Sequence, residues 1–509
     1  MSVDMPESPS VPPARRQLFL GGALTGLAGV ATSQAATALL RQETSPVVAV
    51  AEVIRDRTPG AIAVPLIHLV QHLDKPLLVA GTTLGLVLLA GFAGVQTARR
   101  PWLSYAVLMV MGLLALLAVM TRPNAGPAAF IPLAVGFGTW IAMLSWLTAP
   151  RVNPGERRAF LLRAGLAAAG TIAVVGFAQW VGRARTRVED ARKLLRLSAT
   201  PGTVPVGADL GVSKFQPWRT SNDHFYQIHT AISLPAITPD QWQLRIHGMV
   251  DKTLTVTYAD LVNRQLTEKW VTLCCVSNFV GGSLVGNAFW SGVPIRELLA
   301  QAGVKPGADA VKQTSQDGWT CGTPLSALTD PHRDAMLAIA MNGKPLPVEH
   351  GFPVRMVVPG LYGYVSATKW LVDIEVTQFS RFTAYWTDRG WSEQGPVKTE
   401  SRIDVPLDGQ QMRPGTQRFG GSAWAQHTGI SKVEFQLDGG HWQQAELGRV
   451  ADDDSWVQWA GTAVLAKGNH VLMVKATDKS GYTQTSVKHG TVPNGATGWH
   501  TVAFTAGLD

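Results

Sequence analysis

The residues best suited to chemistry in this 509-residue chain are its three cysteines, Cys274, Cys275 and Cys321, two of them adjacent. No CxxC spacing occurs, so the set matches neither a disulfide framework nor a zinc site and suits one special thiol with bystanders. The run Val271-Thr272-Leu273-Cys274-Cys275-Val276-Ser277-Asn278 reads as a strand entering a loop, with Gly281, Gly282 and Gly286 following. A thiol therefore sits at a strand end. If the strand continues, Cys274 and Cys275 point to opposite faces, and one of them is a core residue. A structural, buried thiol is the ordinary fate of free cysteine, so its surroundings decide its role.

Several polar residues supply those surroundings. His350 and Arg355, in His350-Gly351-Phe352-Pro353-Val354-Arg355, flank a turn and a strand and are placed to converge on an anion. The planar guanidinium fork matches phosphate, whereas a surface ion pair is the plainer reading of Arg355 and a satisfied loop histidine that of His350. In Asn222-Asp223-His224-Phe225-Tyr226-Gln227, Tyr226 offers a hydroxyl donor and Phe225 ordinary packing. Lys398 and Arg402, in Lys398-Thr399-Glu400-Ser401-Arg402-Ile403, lie beyond the aromatic run Tyr385-Trp386-Thr387-Asp388-Arg389-Gly390-Trp391. They are candidate contacts for a substrate anion, with solvated salt bridges as the alternative.

The elements that must position these residues divide the chain in four. Charged residues make up 16%, against about 25% in an average soluble domain, so a long stretch faces lipid. Apolar runs at 17–40, 76–96, 103–121, 128–148 and 159–181 predict five transmembrane helices within residues 1–182. Arg15, Arg16, Arg99, Arg100, Arg151, Arg157 and Arg158 mark cytoplasmic connections, although Arg41, Arg55, Arg57 and Lys75 load the first outer loop as well. An odd number of spans from a cytoplasmic N-terminus then places the region after residue 182 on the periplasmic or extracellular side. His68 and His72, at helical spacing in that loop, form a polar helix face. The net charge of +8 is spread thinly and forms no basic stripe, which argues against nucleic acid.

Residues 183–204 read as a connecting helix and linker. From 205 to 405, strand runs such as Trp242–Ile246 and Pro353–Val358 mix with helical runs such as Ile295–Ala302, an α+β domain. From 406 to 509 the pattern is all-β: Lys432–Leu437 alternates before an Asp438-Gly439-Gly440 turn, and His470–Thr477 and Gly481–Lys488 repeat the strand spacing. A β-sandwich of the immunoglobulin type is expected.

Taken in order, several motifs carry more than any of them alone. Thr272-Leu273-x-Cys275-Val276-Ser277-Asn278 precedes Gly286-Asn287-Ala288-x-Trp290-x-Gly292-Val293-Pro294, then Asp317-Gly318-Trp319, His350-Gly351-Phe352-Pro353-Val354-Arg355, Val358-Pro359-Gly360 and Lys369-Trp370. This series resembles the molybdopterin-binding domain of the sulfite oxidase family over about 200 residues, and the last hundred residues look like that family's immunoglobulin-like dimerisation domain. Only the first 182 residues lie outside the resemblance. It implies a molybdenum-molybdopterin cofactor with one pterin, and Cys275 as the thiolate ligand of the metal, with Cys274 as the less favoured choice. It implies pterin contacts from Asn222, Tyr226 and Gln227, which resemble a stretch of the methionine-sulfoxide-reductase branch, and from Ser315, for which a turn serine is the plainer reading. Arg355, with His350, falls to the pterin phosphate, and Ser366, Thr368 and Lys369 to a second phosphate contact. Where the sulfite-oxidising branch has an arginine, this chain has Ile228-His229, and where that branch has a tyrosine over the metal, Trp391 or a gap.

The resemblance implies two-electron oxygen-atom transfer on a small oxyanion, with a reductase of S-oxides or N-oxides as the rival within the same chemistry. No CxxCH haem signature is present, so electrons pass to an external partner protein or a quinone. Glu156-Arg157-Arg158-Ala159-Phe160-Leu161-Leu162 resembles a twin-arginine export signal, which suits a cofactor inserted before translocation; topology arginines are the alternative. Arg15-Arg16-Gln17-Leu18-Phe19-Leu20 is a weaker echo of it. A cofactor-free membrane binding protein, using the sandwich as an adhesive module, is the reading from a different class.

Overall fold

The computed structural model describes residues 15–507 except 41, 43, 61, 63–65, 67–69, 71–72, 124, 149–155 and 182–183. His68 and His72 lie outside the described residues. The chain separates into two compact units, Met1–Arg187 with Ala231–Ala236, and Val188–Thr230 with Ile237–Asp509.

The first unit is helical: α1 (Arg15–Leu39), α2 (Pro46–Arg57), α3 (Asp74–Gln96), α4 (Pro101–Met120), α5 (Phe130–Thr148) and α6 (Glu156–Val181). Among the described residues four helical stretches are long and apolar enough to cross a membrane: α1, α3, α4, and α5 with the turn before it. The fifth expected span is the helix α6, whose apolar part is the shorter Phe160–Gly176. Among the described residues the five expected positions thus hold four helical stretches of full spanning length and one helix with a shorter apolar run. Leucines such as Leu84, Leu113 and Leu166 point outward from these helices, as a lipid-facing surface requires. Inside the bundle, small residues let backbones meet. A Cβ on Gly22 of α1 would collide with the carbonyl oxygen of Ala90 in α3, and one on Gly94 with that of Leu18. Helix α2 follows no long apolar run; it starts because Ser45 accepts a capping hydrogen bond from the Val48 N–H at 3.4 Å and Pro46 presets the first turn.

Helix α7 (Ala184–Leu194) falls within the stretch read as a connecting helix and linker, and the second unit begins inside it at Val188. Two sheets follow. One has the order β2 (Leu254–Thr257), β1 (Gln243–Gly248), β10 (Leu371–Thr377), β5 (Ala310–Ser315) and β6 (Thr320–Pro324), with β1 and β10 parallel. The other has the order β3 (Thr267–Cys274), β4 (Val285–Pro294), β7 (Met336–Met341) and β8 (Lys344–Pro345), with β9 (Arg355–Val357) pairing with β7. Helix α8 occupies Ile295–Ala302, where Leu298 and Leu299 are buried, and ends at Gly303 in the left-handed conformation. These strands and helix form the expected α+β domain.

The C-terminal region is all-β. One sheet runs β11 (Glu400–Val405), β13 (Gly415–Trp424), β17 (Val457–Leu465) and β16 (Glu446–Leu447). The second runs β12 (Gln411–Met412), β19 (His500–Ala506), β18 (Gly468–Asp478), β14 (Ile430–Leu437) and β15 (Gln443–Gln444). Phe419 and Trp459 from the first sheet and Phe435, Val474 and Phe504 from the second share one buried core. Strand β14 ends at the foreseen turn, where Asp438 and Gly439 both have positive φ.

Two expectations change. Gly481–Lys488 makes no ladder and only an isolated bridge, Thr477 to Thr483. Strand β14 takes one edge of β18 and β19 takes the other from Gly468 to Val474, so only the short edge at Lys475–Asp478 is left for it. Gln484 inserts its side chain instead, accepting from the Ala476 N–H at 3.1 Å and the Ser401 hydroxyl at 2.7 Å. Strand β11, inside the stretch assigned to the α+β domain, pairs with β13 of the C-terminal sheet. Lys398 and Arg402 therefore enter the site region from the β-rich side.

Candidate active site

Strand β3 pairs antiparallel with β4 through Cys274 and Val285, and Cys275 is the first residue beyond the pairing. Its N–H donates to the Leu284 carbonyl at 2.9 Å, and its own carbonyl accepts from the Asn278 N–H at 3.0 Å. The Asn278 side chain closes the loop by accepting from the Leu284 N–H at 2.8 Å. The two thiols differ in surroundings. Cys274 is fully buried and donates to the Cys275 carbonyl at 3.5 Å; burial, with Glu400 next, pushes its thiol far above the ordinary range. Burial also raises Cys275, but hydrogen bonds from the main chain and hydroxyl of Ser277 and the charge of Lys369 oppose that rise. Donors and a cation aimed at one sulfur are what a thiolate ligand needs.

Tyr226 stacks on Phe225 with ring centres 5.1 Å apart. Burial, then the neighbouring Cys275 and Cys274, raise its hydroxyl well above the ordinary value, while Arg355 lowers it. The phenol thus stays a proton donor between the thiols and the guanidinium. Arg355, at the start of β9, is buried over the Trp290 ring at 5.0 Å. It donates to main-chain carbonyls of His350 at 3.1 Å and of Ala367 and Met356 at 3.4 Å. No carboxylate pairs with it among the described residues, and burial lowers its pKa to about 10. A buried cation served by carbonyls and an aromatic face, with no carboxylate, favours an anion.

His350 is buried, its Nε2–H donating to the Asn222 carbonyl at 2.9 Å. Burial, then Lys369 and Arg355, lower its pKa to about 3, so the ring is neutral and Nδ1 is an acceptor. Among the described residues that Nδ1 has no hydrogen-bond partner, and neither does the buried Ser315 hydroxyl. Ser315 ends β5 opposite Leu371, two residues past Lys369. Lys369 donates to the Glu349 carbonyl at 2.7 Å. Cys275, Tyr226, His350, Arg355 and Lys369 are thus drawn together, with two buried polar atoms waiting for a partner.

Other expected site residues are placed differently. The Asn222 amide is held by the Met341 carbonyl at 3.2 Å and the Asn342 amide at 2.8 Å, so it acts through His350. Gln227 is exposed. The Ser366 hydroxyl donates to the Tyr362 carbonyl at 2.9 Å, and the Thr368 hydroxyl meets the Cys321 sulfur at 3.2 Å. Both are used inside the protein and leave main-chain groups for any ligand. Lys398 donates to the Gly495 carbonyl at 2.6 Å and the Asn494 side chain at 3.0 Å. Arg402 is buried and divided among Asp404 at 2.7 Å, the Gly282 carbonyl at 3.0 Å and Gln216 at 3.0 Å. Trp391 is buried against Tyr364 with ring centres 5.9 Å apart.

Two residues escaped the sequence reading. Glu400 is buried, and burial raises its pKa to about 8. Tyr362 is buried with its hydroxyl raised far above the ordinary value by burial, then by Glu400 and Cys274. For Tyr362 its place just after Val358-Pro359-Gly360 was a usable signal; for Glu400 there was none.

A family model for the oxidoreductase molybdopterin-binding domain matches residues 231–386. The human mitochondrial sulfite oxidase is 29% identical over 297 residues, 48% of this chain and 54% of that protein. The chain therefore spans about half the length of that relative. An uncharacterised oxidoreductase of Bacillus subtilis, YuiH, is 32% identical over 200 residues, 39% of this chain and 91% of that protein. In fold, the chain is similar to the sulfane dehydrogenase SoxCD of Paracoccus pantotrophus, with a TM-score of 0.50 and 21% identity over 60% of this chain and 89% of that one. With nearly the whole of YuiH matched and a molybdopterin-binding model lying over the elements that gather Cys275, His350, Arg355 and Lys369, this chain belongs to the sulfite-oxidase-related family of molybdopterin oxidoreductases.

Proposed function

We infer that the protein is a membrane-anchored molybdenum enzyme acting by two-electron oxygen-atom transfer on a small sulfur-containing or related oxyanion, outside the cytoplasm. The observation that carries this reading is the buried set of groups unmatched among the described residues: Arg355 without a carboxylate, and His350 Nδ1 and Ser315 Oγ without partners. Those groups fit a pterin with a phosphate. Arg355 and Lys369 would hold the phosphate, and His350 and Ser315 would meet polar edges of the pterin. No three His, Cys, Asp or Glu side chains gather into a metal cage among the described residues. Cys275 would be the protein's ligand, the other ligands coming with the pterin.

When bound, the cofactor supplies the two-electron chemistry, which no side chain can. The protein's part is to keep Cys275 in a buried site where Ser277 and Lys369 favour the thiolate. Tyr226 holds a proton on its hydroxyl beside that sulfur. Electrons would leave to an external partner protein or a quinone, and the β-rich region, read as immunoglobulin-like, would serve a homodimer.

A second reading, reduction of S-oxides or N-oxides, is favoured by two observations. Ile228 is 46% exposed where the sulfite-oxidising branch has an arginine. Lys398 and Arg402 are held by protein partners and not presented to an anion. Assaying purified protein with an artificial electron carrier on sulfite and on methionine sulfoxide separates the readings. Turnover of sulfite alone supports the first, turnover of the sulfoxide alone supports the second, and turnover of neither despite bound molybdenum contradicts both.

A further inference from the structure

Cys275 is presented by a loop, residues 276–284, and the far side of that loop is gripped by residues more than a hundred positions away. The loop is closed at its neck by the hydrogen bonds between Cys275 and Leu284 and between Asn278 and Leu284. Beyond the neck, the Gly282 N–H donates to the Phe279 carbonyl at 2.7 Å. Nothing in those local bonds fixes the direction of the tip.

The β-rich region does. Arg402, on β11, donates from Nη1 to the Gly282 carbonyl at 3.0 Å. Its guanidinium is aimed by Asp404 on Nε and by Gln216 on Nη2, and Trp456 lies beside it with the ring centre at 5.8 Å. Three donor groups in one rigid plane serve three acceptors, which a lysine cannot copy. His500, at the start of β19, accepts the Ile403 N–H on Nδ1 at 2.9 Å. Its ring presses on Gly281, whose φ of +81° suits glycine and where a Cβ would overlap the imidazole. Glu400, two residues before Arg402, is buried on the same strand. Burial, then Arg402, lower the His500 pKa to about 4, so the ring stays neutral in this packing.

We propose that Arg402 and His500 are positioning residues that lock the loop carrying Cys275 from the β-rich domain, and so set the direction in which the sulfur meets the metal. Arg402 thus acts through the loop and not on the substrate. The inference rests on Cys275 being the metal ligand. It explains why an arginine this buried touches the loop and no ligand-facing group.

The test uses the full-length holoenzyme with Arg402→Gln, Arg402→Lys and, at the independent contact, Gly281→Ala. The readouts are the electron paramagnetic resonance signal of the half-reduced metal centre, and kcat and KM with whichever of sulfite or methionine sulfoxide the wild type turns over. Expected is a shifted or heterogeneous signal in all three variants, with kcat lower by about tenfold or more and KM changed less than about twofold. Arg402→Lys restores little, because a single ammonium cannot serve all three acceptors. A wild-type signal and wild-type kcat in Arg402→Gln overturn the proposal. So does a raised KM at unchanged kcat, which would make Arg402 a substrate contact. If Arg402→Gln does not accumulate, Gly281→Ala is judged by the same criteria.

A second measurement is independent of the cofactor. Iodoacetamide labelling of the cofactor-free full chain, read at each cysteine by mass spectrometry, should accelerate about tenfold at Cys275 in the variants and stay unchanged at Cys321. Equal acceleration at both cysteines means general loosening and overturns the proposal, as does no change at Cys275. Absence of molybdenum from the wild type would instead contradict the functional reading, while the labelling still decides the role of the loop contacts.

Discussion

At the scale of single residues, the two adjacent cysteines are distinguished by what surrounds their sulfurs. Cys275→Ser should abolish activity and lower bound molybdenum, while Arg355 and Lys369 retain part of the pterin; Cys274→Ser should leave both near the wild-type level. Metal and pterin analysis of the two variants side by side checks this, and the reverse pattern would assign the ligand to Cys274. Glu400 gives a pH-dependent test. Its folded pKa of about 8 lies above the ordinary value of 4.5, so the folded state binds the extra proton in that interval. Its contribution is fully present below pH 4.5 and is lost as pH rises toward 8, at up to about 1.4 kcal/mol per pH unit. Glu400→Gln, neutral at every pH, should resist thermal unfolding better than the wild type at pH 8 and lose that advantage by pH 5. An advantage that does not change with pH would contradict a buried, raised carboxyl. Cys275, His350 and Arg355 were legible in the sequence because each sits in a short motif. The partners of Lys398 and Arg402 were not, because they lie 97 and 120 residues away and no local pattern records such distances.

At the scale of elements, close approach in the helical unit and side-chain packing in the β-rich region do different work. Gly22 and Gly94 let α1 and α3 meet backbone to backbone, so Gly22→Leu must separate these helices. Reduced yield and faster thermal aggregation in detergent should follow, with the equally apolar change Leu84→Phe on the outward face as the tolerated control. In the β-rich region Phe435 packs between Phe419, at 5.2 Å, and Trp459, at 6.4 Å. Phe435→Ala should cost about 3 to 5 kcal/mol, measured by denaturant unfolding followed by tryptophan fluorescence. A loss below about 1 kcal/mol would contradict a core shared by both sheets. Strong periodicity made α8 and β14 readable, since each has one buried face and a clear stop. Gly481–Lys488 has the same alternation and yet forms no ladder. Whether an alternating segment joins a sheet depends on a free edge, and β18 offers only its short end beyond Val474.

At the scale of the whole molecule, apolar helices precede an α+β domain with a buried anion-favouring site and a two-sheet β region that grips the loop bearing Cys275. The composition announced the membrane part, with its low charge and long apolar runs, and the ordered motifs announced the cofactor domain. The hold of the β region on the loop emerged only from the folded chain. All of this turns on one claim, that the site holds molybdenum through a pterin. The most direct test is elemental and pterin analysis of the full-length protein purified from cells able to make the cofactor. The account predicts roughly one molybdenum and one pterin per chain, with the metal lost in Cys275→Ser. Purified, folded protein with neither metal nor pterin would contradict it.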